Sequence, residues 1–296
     1  MGAQEKRVTS RGWRIANRKA LSGLAVHLVL LGAAVTMILP LLWLVSSSLK
    51  EPGRQFIWPP QIIPNPVYFN NYVDLFALAP MGDYMVNSFK IAILSVIGTC
   101  LSSSLAAFAF ARMRFPGKNI LFAAVLGTMM LPGAVTVIPT FVIMRWLGWI
   151  DTHYPLIVPA YFGSAFNVFL LRQAYLGIPQ DLVDAAKIDG AGFTRIYWQL
   201  FIPLGMPILA TVAIFGFLGS WNDLFGPLIY LNTQEKMTVA LGLTFLRARM
   251  GNYASGAGHF GAIMAGSLLG LLPSLLLYSI GQKYFIQGLA RTGIKG

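Results

Sequence analysis

The chain has 296 residues, 56% of them hydrophobic and 11% charged, and its mean hydropathy is +0.66. Soluble domains carry about a quarter charged residues, so a water-soluble core of this size cannot hide so much apolar surface and lipid must cover part of it. A net charge of +12 would suit a nucleic-acid partner, but the charges are placed otherwise, and the single cysteine, Cys100, excludes an internal disulfide framework and a cysteine-rich metal site.

A helix needs roughly 20 apolar residues to cross the hydrocarbon. The chain opens with a basic tail, 1–20, holding Lys6, Arg7, Arg11, Arg14, Arg18 and Lys19. The first apolar run, 21–49, is too long for a signal-peptide core of roughly 7–15 residues, so it reads as an uncleaved anchor. His27 within it serves either as a bond to a neighbouring helix or as a proton carrier. A loop rich in proline and aromatics follows (Trp58-Pro59-Pro60, Tyr68, Tyr72) and suits an ordered cap at the membrane surface. Further spans are predicted at 85–113, 119–146, 154–175, 200–231 and 261–286. Prolines 40, 132, 139, 159, 207 and 273 interrupt them, which a membrane bundle tolerates because neighbours satisfy the freed carbonyls. In the last span Ala262, Gly266 and Gly270 recur at every fourth position, a packing stripe. The fold class is therefore all-α, a polytopic transmembrane helical bundle of six spans.

Lys and Arg number fifteen on the side that holds both termini and seven on the other, so both termini are expected in the cytoplasm. The basic excess is a topology signal, and no nucleic-acid partner is expected.

Catalytic motifs are missing. No G-x-x-x-x-G-K-[ST] loop, G-x-S-x-G elbow or H-E-x-x-H occurs, and His27, His153 and His259 are scattered. The chain is expected to be no enzyme, to hold no metal and to bind no ATP by a phosphate loop. A G-x-G-x-x-G at Gly256, Gly258 and Gly261 has no strand before it and reads as a loose loop. Asp223 is the clearest charge within a span, and one acid does not make a proton relay.

The cytoplasmic loop 177–199 is the most informative stretch. Pro179 suits a helix start, Asp181 and Asp184 favour the positive end of its dipole, and Gly190 can end it in the left-handed conformation. Ala185 and Ala186 at its centre leave a shallow surface. Such a helix either docks in a groove on a soluble partner or packs on the membrane face.

Asp184-Ala185-Ala186, Asp189-Gly190 and then Leu200-Phe201-Ile202-Pro203 resemble the E-A-A…G…I-x-L-P loop of bacterial ATP-binding-cassette importer permeases, with Asp for Glu and Leu for Ile. Asn87-Ser88, Trp221-Asn222-Asp223-Leu224-Phe225 and the tail from Gln282 resemble the carbohydrate-uptake branch, specifically the maltose-type six-span permease. The resemblance covers nearly all of the chain after the tail. It implies a type I importer permease fold in the bacterial plasma membrane. Residues 21–286 form the permease domain, and 177–199 is a coupling helix seated in an ATPase subunit through Asp184, Ala185, Ala186, Asp189 and Gly190. A tail, 287–296, would contact the ATPases through Gln287, Gly288 and Leu289. Implied partners are a second permease chain (as a heterodimer), an ATPase dimer that binds ATP and magnesium, an extracytoplasmic solute-binding protein and membrane lipid. This chain itself would hold no cofactor.

The solute would be a sugar or sugar-like molecule. Candidates for its path are Asn87, Tyr161, Asn167, Trp221 and Asn222, each of which serves either the path or packing between helices. The outer loop 232–260 resembles the one that probes the binding protein. Rival readings are a secondary transporter and an importer permease for a non-sugar solute.

Overall fold

A computed structural model describes residues 2–251 and 259–293, with side chains at 23, 26–249 and 259–282; the described residues are helical and contain no strand. The chain divides into two compact units, Met1–Tyr72 with Ala257–Leu268, and Val73–Gly256 with Leu269–Gly296.

In the first unit α1 spans Gly2–Ser48. At 1.5 Å per residue this is about 70 Å, more than twice the hydrocarbon thickness, so the basic tail simply extends the anchor helix. Its last carbonyls lack intrahelical partners. Asn71, at the start of α2 (Asn70–Leu78), donates its amide to Ser48 O at 2.9 Å and Lys50 O at 2.7 Å, and the Ser48 and Tyr72 hydroxyls meet at 3.0 Å. Asn71 and Tyr72 thus cap the C-terminal end of α1, while the Pro-rich stretch before them is largely exposed. Lys50 is buried against the Trp43 ring, its ammonium 4.0 Å from the centroid, and burial pushes its pKa down.

The second unit is built on α3 (Met81–Arg112), which packs against α7 (Ala165–Leu176), α10 (Ile202–Trp221) and α12 (Val239–Gly251). Lipid supplies no hydrophobic drive between helices, so small residues and hydrogen bonds must hold them. A row of serines along α3 does this, each gripping a different segment. Ser88 Oγ accepts from Val239 N at 2.9 Å, Ser95 donates to Leu156 O at 3.0 Å and Ser102 donates to Ala160 O at 3.1 Å. Glycines let aromatic rings lie against helix backbones: Tyr161 over Gly98, Tyr175 over Gly205 and Tyr84 over Gly242.

Among the described residues five helical stretches are long and apolar enough to cross a membrane, with a sixth if one bent pair counts as a span. That pair corrects the expectation of one helix over 119–146. α4 (Lys118–Gly127) leads through a 3-10 turn into a bend of 101° before α5 (Gly133–Trp146). Leu131 is extended, at φ −81° and ψ 117°, because the ring of Pro132 disfavours the helical region for the residue before it. The fourth span is also interrupted. α6 (Tyr154–Ile157) and a 3-10 turn precede Gly163, whose φ is 84°, and then α7. The fifth was expected at 200–231 but runs from Phe193 to Trp221. It comprises α9 (Phe193–Ile196), a π-turn over Tyr197–Phe201 and α10. It stops where Asp223 Oδ1 accepts the N–H groups of Phe225 and Gly226, at 3.0 and 3.2 Å, and starts the separate α11 (Phe225–Tyr230). The last span lies in α13 (Phe260–Gly293), continuous through Pro273. Trp221 Nε1 donates to Gly270 O at 2.9 Å, in the stripe read as packing.

The rings over glycines set a test. A Cβ on Gly242 would overlap the Tyr84 ring, whereas one on Gly219 meets nothing within 4 Å. Gly242→Ala should cost roughly 1–3 kcal/mol by overpacking, lowering the thermal midpoint of the detergent-solubilised chain by several degrees. Gly219→Ala should match or exceed wild type. Equal midpoints for the two variants would contradict the packing.

Candidate functional site

Residues 177–199 form a helical elbow. α8 spans Gln180–Ile188, with Pro179 extended at its N-cap and Asp181 in its first turn. Gly190 ends it with φ 76°. Its N–H bonds Lys187 O at 2.9 Å, and the N–H of Ala191 reaches back to Ala186 O at 2.9 Å. This pair of bonds is a Schellman cap, and both Ala186 and Ala191 pack on the core as its apolar contact. A glycine is required at the left-handed position because a Cβ there is strained.

The two central alanines divide. Ala186 faces inward beside Val183, which is 4% exposed; Ala185 faces outward. The inward face joins a core of Phe108, Leu171, Tyr175, Ile178, Tyr197 and Phe201. The outward face carries Leu182, Ala185 and Ile188, the last 86% exposed, and the carboxylates of Asp181 and Asp189. Asp184 is exposed and accepts from Gln180 Nε2 at 3.0 Å and Lys187 Nζ at 3.4 Å, a surface arrangement that adds little stability. An apolar stripe at i, i+3 and i+6 with acids around it suits a groove on a partner protein. Leu182 and Ile188 were missed in the sequence, where their spacing from Ala185 was the available signal.

Two devices fix the elbow to α3. Arg112, the last residue of α3, donates to Tyr175 O at 2.7 Å, to Ile178 O, and to Gln180 Oε1 at 2.6 Å. It thereby closes the C-terminal end of α7 and holds the start of α8. About two helical turns earlier on α3, Ser104 Oγ meets Tyr175 OH at 2.6 Å and accepts from Tyr197 OH at 3.0 Å. This buried hydroxyl triangle joins α3, α7 and the π-turn.

At the other end of α3 a second cluster pins the loop 232–238. Asn87 spends both amide hydrogens there, on Glu235 O at 2.7 Å and Met237 O at 3.1 Å. Asp151, with a positive φ of 56°, accepts from Asn232 N and Thr233 N at 2.9 Å each and pairs with Lys236 Nζ at 2.9 Å. Its carboxyl lies well below the usual range: burial acts to raise it, and the hydroxyl and amide of Thr233, Lys236 and the Asn232 amide outweigh that. His153, whose pKa burial holds below its ordinary value, donates from Nε2 to Lys236 O at 2.9 Å.

The remaining candidates lie apart. Trp221 is 3% exposed, stacked at 10° on Phe217 and tilted against Phe89. Asn222 is exposed and bonds its own helix at Leu218 O, 2.8 Å away. Tyr161 lies over Gly98, 43% exposed, and Asn167 is half-buried. The side chains of Gln287, Gly288 and Leu289 and the loop 252–258 lie outside the described residues.

Residues 98–291 match the family of binding-protein-dependent transport system inner membrane components. The galactooligosaccharides transport system permease protein GanQ of Bacillus subtilis is 35% identical over 284 residues, 94% of this chain and 98% of that one. The arabinooligosaccharides transport system permease protein AraQ of Halalkalibacterium halodurans is 33% identical, over 89% of this chain and 93% of its own. The fold is similar to a chain of the crystal structure of a bacterial ABC transporter involved in the import of alginate. The TM-score is 0.75 with 24% identity, covering 88% of this chain and 95% of that one.

Both ends of α3 give measurable expectations. Arg112→Ala leaves two carbonyls without their charged donor, about 1–3 kcal/mol for each lost partner, so trypsin should cut after Lys187 roughly ten times faster than in wild type. Unchanged cleavage would refute the anchor. At the other end, a depressed acid stabilises above its unfolded pKa, about 4, and fails only as pH falls through the lower folded value. The Asn232 and Thr233 amides should therefore keep constant protection factors from pH 8 to 5 and lose them in Asp151→Ala. A loss of protection between pH 7 and 5 in wild type would contradict this.

Proposed function

This chain belongs to the family of binding-protein-dependent transport system inner membrane components, and from that premise we propose that it is one permease half of an ATP-driven carbohydrate importer. It is a multi-pass protein of the plasma membrane. Relatives at 31–35% identity are permeases for galactooligosaccharides, arabinooligosaccharides and diacetylchitobiose, and an oligosaccharide is the solute class that fits this company.

The observation that carries the mechanism is α8, anchored on one face and bare on the other. An ATPase subunit would grip the outward stripe of Leu182, Ala185 and Ile188 and the acids Asp181 and Asp189. Arg112 and the hydroxyl triangle tie the elbow to α3 through bonds that a rigid displacement preserves. A movement of the gripped face is then passed to α3, α7 and α10 instead of being lost in a flexible loop. Asp184 tunes the surface, and Gly190 sets the angle at which the chain leaves α8. The tail residues Gln287, Gly288 and Leu289 would add a second contact with the ATPases. ATP and magnesium would be held by those partner chains, and a second permease would complete the pore.

The pinned loop 232–238 supports a docking role for the outer end. A solved relative of the fold is a bacterial alginate transporter in complex with its alginate-bound periplasmic protein, and a solute-binding protein would sit here in the same manner. Among the path candidates, Asn222, Tyr161 and Asn167 keep polar groups free of ties to other helices. Asn87 and Trp221 would act through the geometry they hold. Asp223 is occupied in capping α11, which weighs against a proton-driven carrier.

Gly190→Trp adds bulk and left-handed strain in open space, where no atom lies within 4 Å of the position. Reconstituted with its ATPase, the variant should insert and leave basal ATP hydrolysis intact while uptake per ATP falls at least about tenfold; on a 1.4 kcal/mol-per-decade scale this is the size of a lost coupling contact. Normal uptake by this variant would overturn the reading.

A further inference from the structure

Arg114 and Lys118 stand at the turn between α3 and α4 and Arg172 of α7 acts on Lys118, and among the described residues no acid pairs with any of the three. Arg114 is exposed and has no side-chain partner among the described residues. Lys118 Nζ rests on Met113 O at 2.9 Å. The charges acting on Lys118 are Arg172 and Arg114, both positive. Arg172, from α7, donates from Nε to Phe110 O at 3.2 Å and lies 4.3 Å over the Phe122 ring. Among the described residues none of the ion pairs involves any of the three. A topology signal needs positive residues somewhere on this side but does not need two of them on one notch with a third acting on it. Like charges held together are costly unless an anion joins them.

The notch has a volume of about 520 Å³ and is lined by Arg114, Phe115, Gly117, Lys118, Asn119 and Ile120. Gly117, left-handed at φ 76°, starts α4 without a side-chain cap, and the first turn of α4 has no acid. Position narrows the occupant. The turn joins the end of one membrane-crossing helix to the start of the bent pair, so it lies at headgroup level. The α4 residues beside it, Ile120 and Leu121, are 77% and 53% exposed. A basic notch with an apolar flank at the bilayer surface matches a phospholipid, its phosphate in the notch and its acyl chains along the flank.

We propose that this turn is a binding site for the headgroup of an anionic phospholipid, held by Arg114 and Lys118 with Arg172 behind them.

The test uses the full chain purified in a neutral detergent. It is titrated with phosphatidylglycerol, with phosphatidylcholine and with inorganic phosphate, and read by native mass spectrometry and thermal midpoint. Each basic residue near an anionic surface contributes about fivefold in binding. Wild type should retain phosphatidylglycerol about tenfold or more over phosphatidylcholine, with a raised midpoint. Arg114→Gln with Lys118→Gln should abolish the preference, and Arg114→Lys with Lys118→Arg should keep it. If the double neutral variant does not insert, Arg114→Gln alone decides, since Arg114 has no side-chain partner to lose among the described residues; a drop of roughly fivefold supports the site. Unchanged preference in the neutral variants overturns it. So does a midpoint shift from inorganic phosphate equal to that from the lipid, which would assign the notch to a soluble anion. Loss of the ATPase subunit from variant complexes in phosphatidylcholine bilayers, with lipid preference intact, would assign it to a protein contact instead.

Discussion

One guanidinium decides how one end of this protein is built. Arg112 closes α3 and, from that position, supplies the donors that the end of α7 lacks. In lipid or at its edge a carbonyl without a partner costs more than in water, so α7 ends where Arg112 can reach it. The same side chain reaches Gln180 and fixes where α8 begins. Everything distinctive about the elbow follows: Val183 and Ala186 find the core, and Leu182, Ala185 and Ile188 are left outside. The Ser104–Tyr175–Tyr197 triangle repeats the constraint with neutral groups about two turns deeper.

The same economy governs the other end of α3. Asn87 and Ser88 take hold of 235–239 much as Arg112 takes hold of 175–180. Between them Ser95, Ser102 and the bare backbone at Gly98 join the broken fourth span to the same helix. α3 is therefore a rod with fixed attachments along its length. Such a rod keeps its two ends in register, since displacement at one attachment cannot be absorbed before the next.

Much of this was open to a reader of the sequence, and what was hidden has identifiable causes. Hydropathy located the spans because twenty apolar residues have few other uses. It did not reveal the break before Pro132, since proline is tolerated in membrane helices and the deciding factor was the conformation forced on Leu131. Nor did it reveal the stop at Trp221, where a polar pair, Asn222 and Asp223, interrupts an otherwise apolar stretch. The ends of α8 were legible because Pro179 and Gly190 act locally. Its faces were not: whether Ala185 or Ala186 looks outward depends on where Val183 is buried, which is tertiary. Arg112 was visible only as one more positive charge on the inner side. Asn87 looked like a solute ligand because its acceptors lie about 150 positions further along the chain.

The π-turn at Tyr197–Phe201 carries one residue more than a regular helix would. Each residue in a helix advances the facing direction by about 100°. The turn thus sets the angular phase between the elbow, where Tyr197 must meet Ser104, and the far end of the span, where Trp221 must meet Gly270. A deletion or insertion of one residue here would leave every side chain chemically intact yet aim the whole of α10 at the wrong neighbours. The length of this short segment is as strict a specification as the identity of any residue in it.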